Sequence, residues 1–136
     1  MVDSLSISLS GLQAQTLRLA GSASNVANLR TTGALAPQAG DRVAYQPVDT
    51  VQQALTGGDG QGQGTRAFFR PTNPAVTAEF QPDDPAANAD GLVAAPNVSL
   101  ERETVNQTQG LRAFQANLAA FRTADELTRE VLNIRA

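Results

Sequence analysis

Residues 4–28 read SLSISLSGLQAQTLRLAGSASNVAN. Leu5, Leu12, Leu19 and Val26 recur there every seven positions, and Leu9, Thr16 and Ala23 stand four places after the first three. That spacing returns to one side of a helix every second turn, so it lays an apolar and small-residue seam along the element. The pattern predicts one helix over residues 4–28, with Ser4, Ser6 or Ser8 accepting from the open N–H groups of its first turn. Gly11 and Gly21 lie inside it, each weakening a helix by about 1 kcal/mol relative to Ala. They are either weak points or places where a neighbouring helix comes close, and the thin run Ala20-Gly21-Ser22-Ala23-Ser24 favours the second reading. Asn28 or Gly33 is suited to the exit turn.

The other end of the chain carries the same spacing. Leu111, Leu118 and Leu132 repeat it, with Phe114 and Phe121 three places after the first two. A helix is predicted over residues 99–133, capped by Asn97 or Ser99, with Glu101 or Glu103 near its positive end and Gly110 as a candidate bend. Leu127, Val131 and Ile134 form a second apolar stripe. A helix with two such stripes is built to touch more than one neighbour, so each terminal helix needs a partner to cover it.

Between the helices the period is lost. Arg42-Val43-Ala44-Tyr45-Gln46-Pro47-Val48 reads as a strand that Pro47 confines to an edge or ends. Gly57-Gly58-Asp59-Gly60-Gln61-Gly62-Gln63-Gly64 lacks the Gly-Lys-Ser/Thr ending of a phosphate-binding loop and reads as a hairpin tip or linker. Ala67–Arg70 and Ala75–Phe80 read as short strands, with Pro71, Asn73 and Pro74 turning the chain between them. Leu92-Val93-Ala94 adds a brief extended segment. The predicted fold class is therefore α+β, with long N- and C-terminal helices and a small β-rich region between them.

Composition narrows the function. The chain has 136 residues, five Phe, one Tyr and no Trp, so large side chains for a core are scarce. Net charge is -3, and the excess acid lies in the middle, where Arg42, Arg66 and Arg70 face seven carboxylates. No basic face suited to a phosphate backbone is evident, which disfavours nucleic acid as a partner. Cysteine and histidine are absent. That removes thiol chemistry, the usual imidazole base and most zinc or transition-metal sites.

Every apolar stretch is interrupted before twenty residues accumulate, so no transmembrane segment is expected. The N-terminus lacks the pattern of a secretory signal peptide, so export would proceed without a cleaved leader.

The acidic residues offer little chemistry. Asp83 and Asp84 are consecutive in a Pro-bounded turn and read as solvated, whereas acid–base work needs carboxylates in contrasting environments. Adding Asn88 and Asp90 supplies oxygen ligands, but not at the spacing of a twelve-residue calcium loop. Glu101, Glu103, Glu126 and Glu130 read as solvated or as intersubunit partners of helix arginines, with Glu126 within reach of Arg129. No catalytic residue, metal ligand or cofactor is assigned, and an enzyme is not expected.

Two motifs carry a family resemblance. Ser24-Asn25-Val26-Ala27-Asn28 followed by Thr31-Thr32-Gly33 resembles the Asn-containing signature of bacterial flagellar rod and hook proteins. The series Asp83–Val93, then Pro96–Glu101, then Arg112-Ala113-Phe114-Gln115-Ala116-Asn117 is similar to FlgC-type proximal rod proteins. The likeness covers residues 9–33 and 82–134. Where that family commonly has Thr-Pro-Gly, this chain has Thr31-Thr32-Gly33, and its Gly57–Gly64 run is unusual for the family.

The resemblance implies a structural subunit of the flagellar basal-body rod that assembles helically and transmits torque from motor to hook and filament. It implies long N- and C-terminal helices pairing as a coiled-coil-like inner domain with a small β-rich domain inserted between them: a rod-core helix and motif over 1–33, a small β-rich outer domain over 34–97 and a rod-core helix over 98–136. Self, related rod proteins, the flagellar type III export apparatus and proximal basal-body components would be the partners, in a periplasm-spanning rod. The residues expected at the assembly interface are Leu5, Leu9, Leu12, Leu19, Ala23, Asn25, Val26, Asn28, Leu111, Phe114, Asn117, Leu118, Phe121 and Leu132. A helical-hairpin adaptor, or a structural component of another secretion-related assembly, is the alternative.

Overall fold

The computed structural model describes residues 2–134, with side chains from residue 4 onward. Its elements run α1 (Val2–Ala27), β1 (Val48–Thr56), β2 (Gly62–Pro71), β3 (Val76–Phe80), β4 (Leu92–Pro96) and α2 (Leu100–Ile134). The architecture is α+β as expected, with two-stranded sheets between the terminal helices. Both helices fall within two residues of their predicted ranges, and α2 continues through Gly110. Ser99 caps α2: its Oγ accepts from the Arg102 N–H at 3.3 Å and donates to Glu101 Oε2 at 2.8 Å. The Glu101 carboxyl is held below its ordinary pKa by its own backbone N–H and by that Ser99 hydroxyl.

The chain forms two compact units, and α1 and α2 each contribute to both. The first unit combines the described residues up to Ala20, Thr50–Phe68 and those from Asn106 onward. Within it the glycine-rich run is a hairpin tip, where the Gly57 N–H donates to Gln61 O at 2.8 Å and the Gly60 N–H to Gly57 O at 3.0 Å. Ser10 fastens β2 to α1: its Oγ accepts from the Thr65 N–H at 3.0 Å and donates to Ile7 O at 2.7 Å. The helices approach antiparallel, Gly11 toward Asn117 and Leu19 toward Gly110. A Cβ added to Gly11 would stand 2.6 Å from Asn117 Oδ1, so a larger residue there would displace the end of the Asn117 side chain.

The second unit combines Gly21–Asp49 and Phe69–Val105. Strands β3 and β4 pair antiparallel, from Val76 opposite Pro96 to Phe80 opposite Leu92. Gly33 joins the other edge of β4, exchanging hydrogen bonds with Ala94 at 3.0 and 2.9 Å. A side chain at Gly33 would collide with the backbone of Arg42, Val43 and Ala44, which explains the glycine that ends the first motif. The buried apolar residues here are small: Ala44, Pro47, Val93, Ala94 and Ala95.

The strand expected over 42–48 is corrected. Those residues are outside the ladders until Val48, because their backbone groups serve loops: the Ala34 N–H donates to Arg42 O at 2.8 Å and the Tyr45 N–H to Thr31 O at 3.1 Å. Pro47 has no N–H to give. The strand is instead Val48–Thr56, which was not anticipated, and β2 extends well beyond the predicted Ala67–Arg70.

Candidate assembly interface

The side of α1 that the chain itself buries consists of small and polar residues. Ser8, Gly11, Ala14, Gln15, Gly21, Ser22 and Asn25 are all buried. Ser8, Gly11, Gln15, Ser22 and Asn25, with half-buried Arg18, fall at alternating steps of three and four, which is itself a seven-residue repeat. The leucine row lies one position further on: Leu12 follows Gly11, Leu19 follows Arg18 and Val26 follows Asn25. One residue is about 100° of helix rotation, so the row is turned toward the edge of the contact and is only partly covered.

On α2 the buried Glu103 and Gly110 and the half-buried Asn117 repeat every seven residues beside Leu111 and Leu118. The chain thus closes its own helix contacts largely with glycine and amides, leaving much of the larger apolar surface open.

The conspicuous motif residue Asn25 organises the second unit. It is 2 % exposed. Its Nδ2 donates to Val48 O and to Glu103 Oε1, both at 2.9 Å, while its Oδ1 accepts from the Val48 N–H at 3.0 Å and the Tyr45 hydroxyl at 3.2 Å. One side chain thereby satisfies both backbone groups at the start of β1 and holds the first turns of α2. Ser22 Oγ donates to Glu103 O at 3.3 Å, and Ser24 Oγ lies 2.9 Å from Tyr45 Oη. Asn28 closes the helix end by donating from Nδ2 to Ser24 O at 2.9 Å.

A second polar cluster ties the loops of that unit together. Arg42 Nη2 donates to Asp84 Oδ1 at 2.9 Å and to Thr32 Oγ1 at 3.0 Å, and Thr32 Oγ1 donates to Asp84 Oδ2 at 2.5 Å. The Asp84 carboxyl is held below its ordinary pKa, first by the Thr32 hydroxyl, then by the Ala86 N–H and the Arg42 guanidinium, against the opposing effect of desolvation.

The expected interface residues divide by exposure. Leu9, Leu111 and Leu132 are 47 %, 50 % and 63 % exposed. Ala23 is exposed; Leu5, Leu12, Leu19, Val26, Asn28, Phe114, Asn117, Leu118 and Phe121 are half-buried. Asn25 is buried. Contact within the first unit brings Asn117 to Gly11 and Leu19 to Gly110. The second stripe of α2, Leu127, Val131 and Ile134, is exposed throughout.

Three readings of acidic residues are corrected. Glu103 is buried rather than solvated, and its Oε1 accepts from Asn25 Nδ2. Asp84 is ion-paired with Arg42 rather than solvated. Arg129 pairs with Asp125, four residues before it, at 2.9 Å, rather than with Glu126. The seven-residue spacing of Glu103, Gly110 and Asn117 was the available signal for Glu103, obscured because the leucines beside it define a more conspicuous row. Among the described residues no group of carboxylates is arranged to hold a metal ion, and no helix is long and apolar enough to cross a membrane.

Comparison with known proteins gives a consistent result. A family model described as Flagellar basal body rod FlgEFG protein C-terminal matches residues 89–134. The flagellar basal-body rod protein FlgC of Yersinia enterocolitica is 32 % identical, with 98 % of this chain and 97 % of the relative aligned. FlgC of Salmonella typhimurium is 30 % identical over the same shares. FlgC of Bacillus subtilis is 28 % identical over 96 % of this chain and 95 % of the relative.

Proposed function

This chain belongs to the FlgC family of flagellar basal-body rod structural proteins, and from that premise we propose that it assembles helically with related axial proteins to transmit torque from motor to hook and filament. Residues 1–33 and 98–136 form the rod core, their helices pairing in coiled-coil fashion. Residues 34–97 form the outer domain. The protein leaves the cell body through the flagellar type III apparatus and takes its place in the periplasm-spanning rod.

The observation that carries this reading is the division of α1 and α2 into a self-contact of glycines and amides and an uncovered apolar surface. Leu9, Leu111 and Leu132 are at least 47 % exposed, and Leu127, Val131 and Ile134 add to them on α2. Apolar surface left to water is stabilising once neighbours cover it, at about 25 cal/mol per Å². Neighbouring copies or relatives packed on both stripes supply that cover. Charged residues on the same helices then fix register, because a displaced neighbour strands a charge without a partner.

Leu118→Asp tests the interface. The variant is expected to be expressed and exported but to be missing from rods, with motility lost. Normal rod assembly by this variant would contradict the proposed packing.

A further inference from the structure

The chain contains two Asp–Gly pairs, Asp59–Gly60 and Asp90–Gly91. Such a pair is chemically exposed, because no side chain on the glycine shields its nitrogen from the preceding carboxyl group. Both glycines adopt the left-handed region, at φ +78° and +74°. Sequence and backbone conformation therefore do not separate the two sites, whereas their surroundings do.

Asp59 and Gly60 are exposed at the tip of the β1–β2 hairpin, and a Cβ built on Gly60 would meet nothing within 4 Å. Three hydrogen bonds hold the tip. The Gly57 N–H donates to Gln61 O at 2.8 Å, the Gly60 N–H to Gly57 O at 3.0 Å and the Gln61 N–H to Asp59 Oδ1 at 3.1 Å. All run among exposed or half-buried residues, where water replaces each bond as it breaks, so the tip opens at little cost.

Asp90–Gly91, in the turn between β3 and β4, is fastened instead. Gly91 is buried, donates from its N–H to Asn88 O at 3.0 Å and accepts from the Gln81 N–H at 2.9 Å. The Asp90 and Leu92 N–H groups both donate to Asn88 Oδ1, at 3.0 and 2.9 Å, and the Asn88 N–H donates to Leu92 O at 3.0 Å. The Phe80 ring stands against Gly91, where an added Cβ would lie 2.8 Å from it. Freeing the Gly91 nitrogen means parting these contacts together.

We propose that Asp59 is a spontaneous modification site, at which the folded chain converts Asp59–Gly60 to an isoaspartyl linkage much faster than Asp90–Gly91. Once the tip opens, the Gly60 nitrogen attacks Asp59 Cγ. The N–Cγ bond forms, and the amide proton leaves with the carboxyl hydroxyl as water, giving a five-membered cyclic imide. Water then adds to either carbonyl of the ring. Breaking the bond from nitrogen to the main-chain carbonyl carbon of Asp59 routes the chain through Cβ and Cγ, and breaking the other restores aspartate. One water leaves and one returns, so no further reactant is consumed. The product has an extra methylene in its main chain, which disrupts the spacing at which Gly57 meets Gln61, and a free α-carboxylate open to enzymatic methylation.

The test incubates the purified full chain at neutral pH in heavy-oxygen water. Peptides spanning each site are separated by reversed-phase chromatography and isoaspartate is placed by electron-transfer fragmentation, with the heavy oxygen marking passage through the imide. Isoaspartate is expected to accumulate at Asp59 at least about tenfold faster than at Asp90, the factor that about 1.4 kcal/mol of additional opening cost produces. In denaturing urea the two sites should convert at similar rates. Equal rates in the folded chain would overturn the proposal, as would a difference that persists undiminished in urea, since flanking sequence would then be its cause.

Two variants complete the test. Asp59→Glu keeps the charge but requires a six-membered ring, so the isomerised form of the hairpin peptide should disappear; its persistence would place the reaction at another residue and overturn the assignment. Asn88→Ala removes the acceptor shared by Asp90 and Leu92 and should raise the rate at Asp90 toward that at Asp59. An unchanged rate there would overturn the claim that the turn's hydrogen bonds separate the two sites.

Discussion

Replacing Asn25 by Ala removes one side chain and strands several partners at once. The amide makes four hydrogen bonds of 2.9 to 3.2 Å, two with the backbone of Val48, one with Glu103 and one with Tyr45. The Tyr45 hydroxyl keeps Ser24 as a partner and Glu103 keeps another interaction, so neither loses everything. The Val48 N–H and C=O both lose the amide that pairs them. Each stranded backbone group costs about 1 to 3 kcal/mol, and a small cavity adds to that. A destabilisation of about 3 to 4 kcal/mol is expected, near the upper end for a single substitution.

The assay is urea denaturation of the purified chain followed by tyrosine fluorescence. Tyr45 is the only Tyr, there is no Trp, and its hydroxyl lies in the affected cluster, so the signal reports the second unit. Asn25→Asp provides an internal check: it retains an acceptor for the Val48 N–H but brings a carboxylate to Glu103. It should be at least as destabilising as Ala at neutral pH and recover in mild acid. A loss below about 1 kcal/mol for Asn25→Ala, too small for two stranded backbone groups, would refute the assignment of Asn25 as the organising residue.

The ion-paired Asp84 sets a pH dependence. Its folded pKa lies below its ordinary value, so the stability it contributes is full above about pH 4 and is lost as pH falls through the folded value. The stability difference between parent and Asp84→Asn should therefore shrink as urea midpoints are measured from pH 5 downward; a difference unchanged to pH 2 would contradict the Thr32 and Arg42 contacts. Gly33→Ala places a Cβ against the backbone of residues 42–44 and should cost about 2 kcal/mol or more. A urea midpoint equal to the parent's would show that this loop yields freely. Gly11→Ala moves only the end of the Asn117 side chain, so the better helix propensity of Ala should leave the isolated chain equally or more helical; a clear loss of helicity would show that Asn117 is held in place.

Long-period patterns were legible in the sequence, and single partners were not. Leu5, Leu12, Leu19 and Val26 at seven-residue spacing specify a helix whatever they pack against, and near the C-terminus Leu111, Leu118 and Leu132 do so although Asp125 breaks the repeat. Strands β3 and β4 were readable because Pro and Gly bracket them. Strand β1 was hidden because Val48–Thr56 has no clean alternation: its burial runs half-buried at residues 48, 50 and 51 and exposed from 52 to 56. The hairpin partner and the Asn25 amide define that strand more than its own side chains do.

The leucine row located the helix but not its buried side. The buried side is one position round, on residues whose small size or amide group is informative only when the opposing helix is seen. Gly11 and Asn117 need each other to be interpreted, as do Asn25 and Glu103. The signature Ser24–Asn28 was recognisable as a motif, whereas its physical role required the position of Val48, twenty-three residues beyond Asn25.

Amide hydrogen exchange resolved by residue, on the purified chain and on the same chain within isolated rods, addresses the uncovered helix faces most directly. The account predicts rapid exchange of residues 4–20 and 111–134 in the purified chain and strong protection of both segments in the rod, with the Asn25 cluster protected in each. Equally slow exchange of the two terminal segments in the purified chain would contradict it, because the helices would then be stable without neighbours.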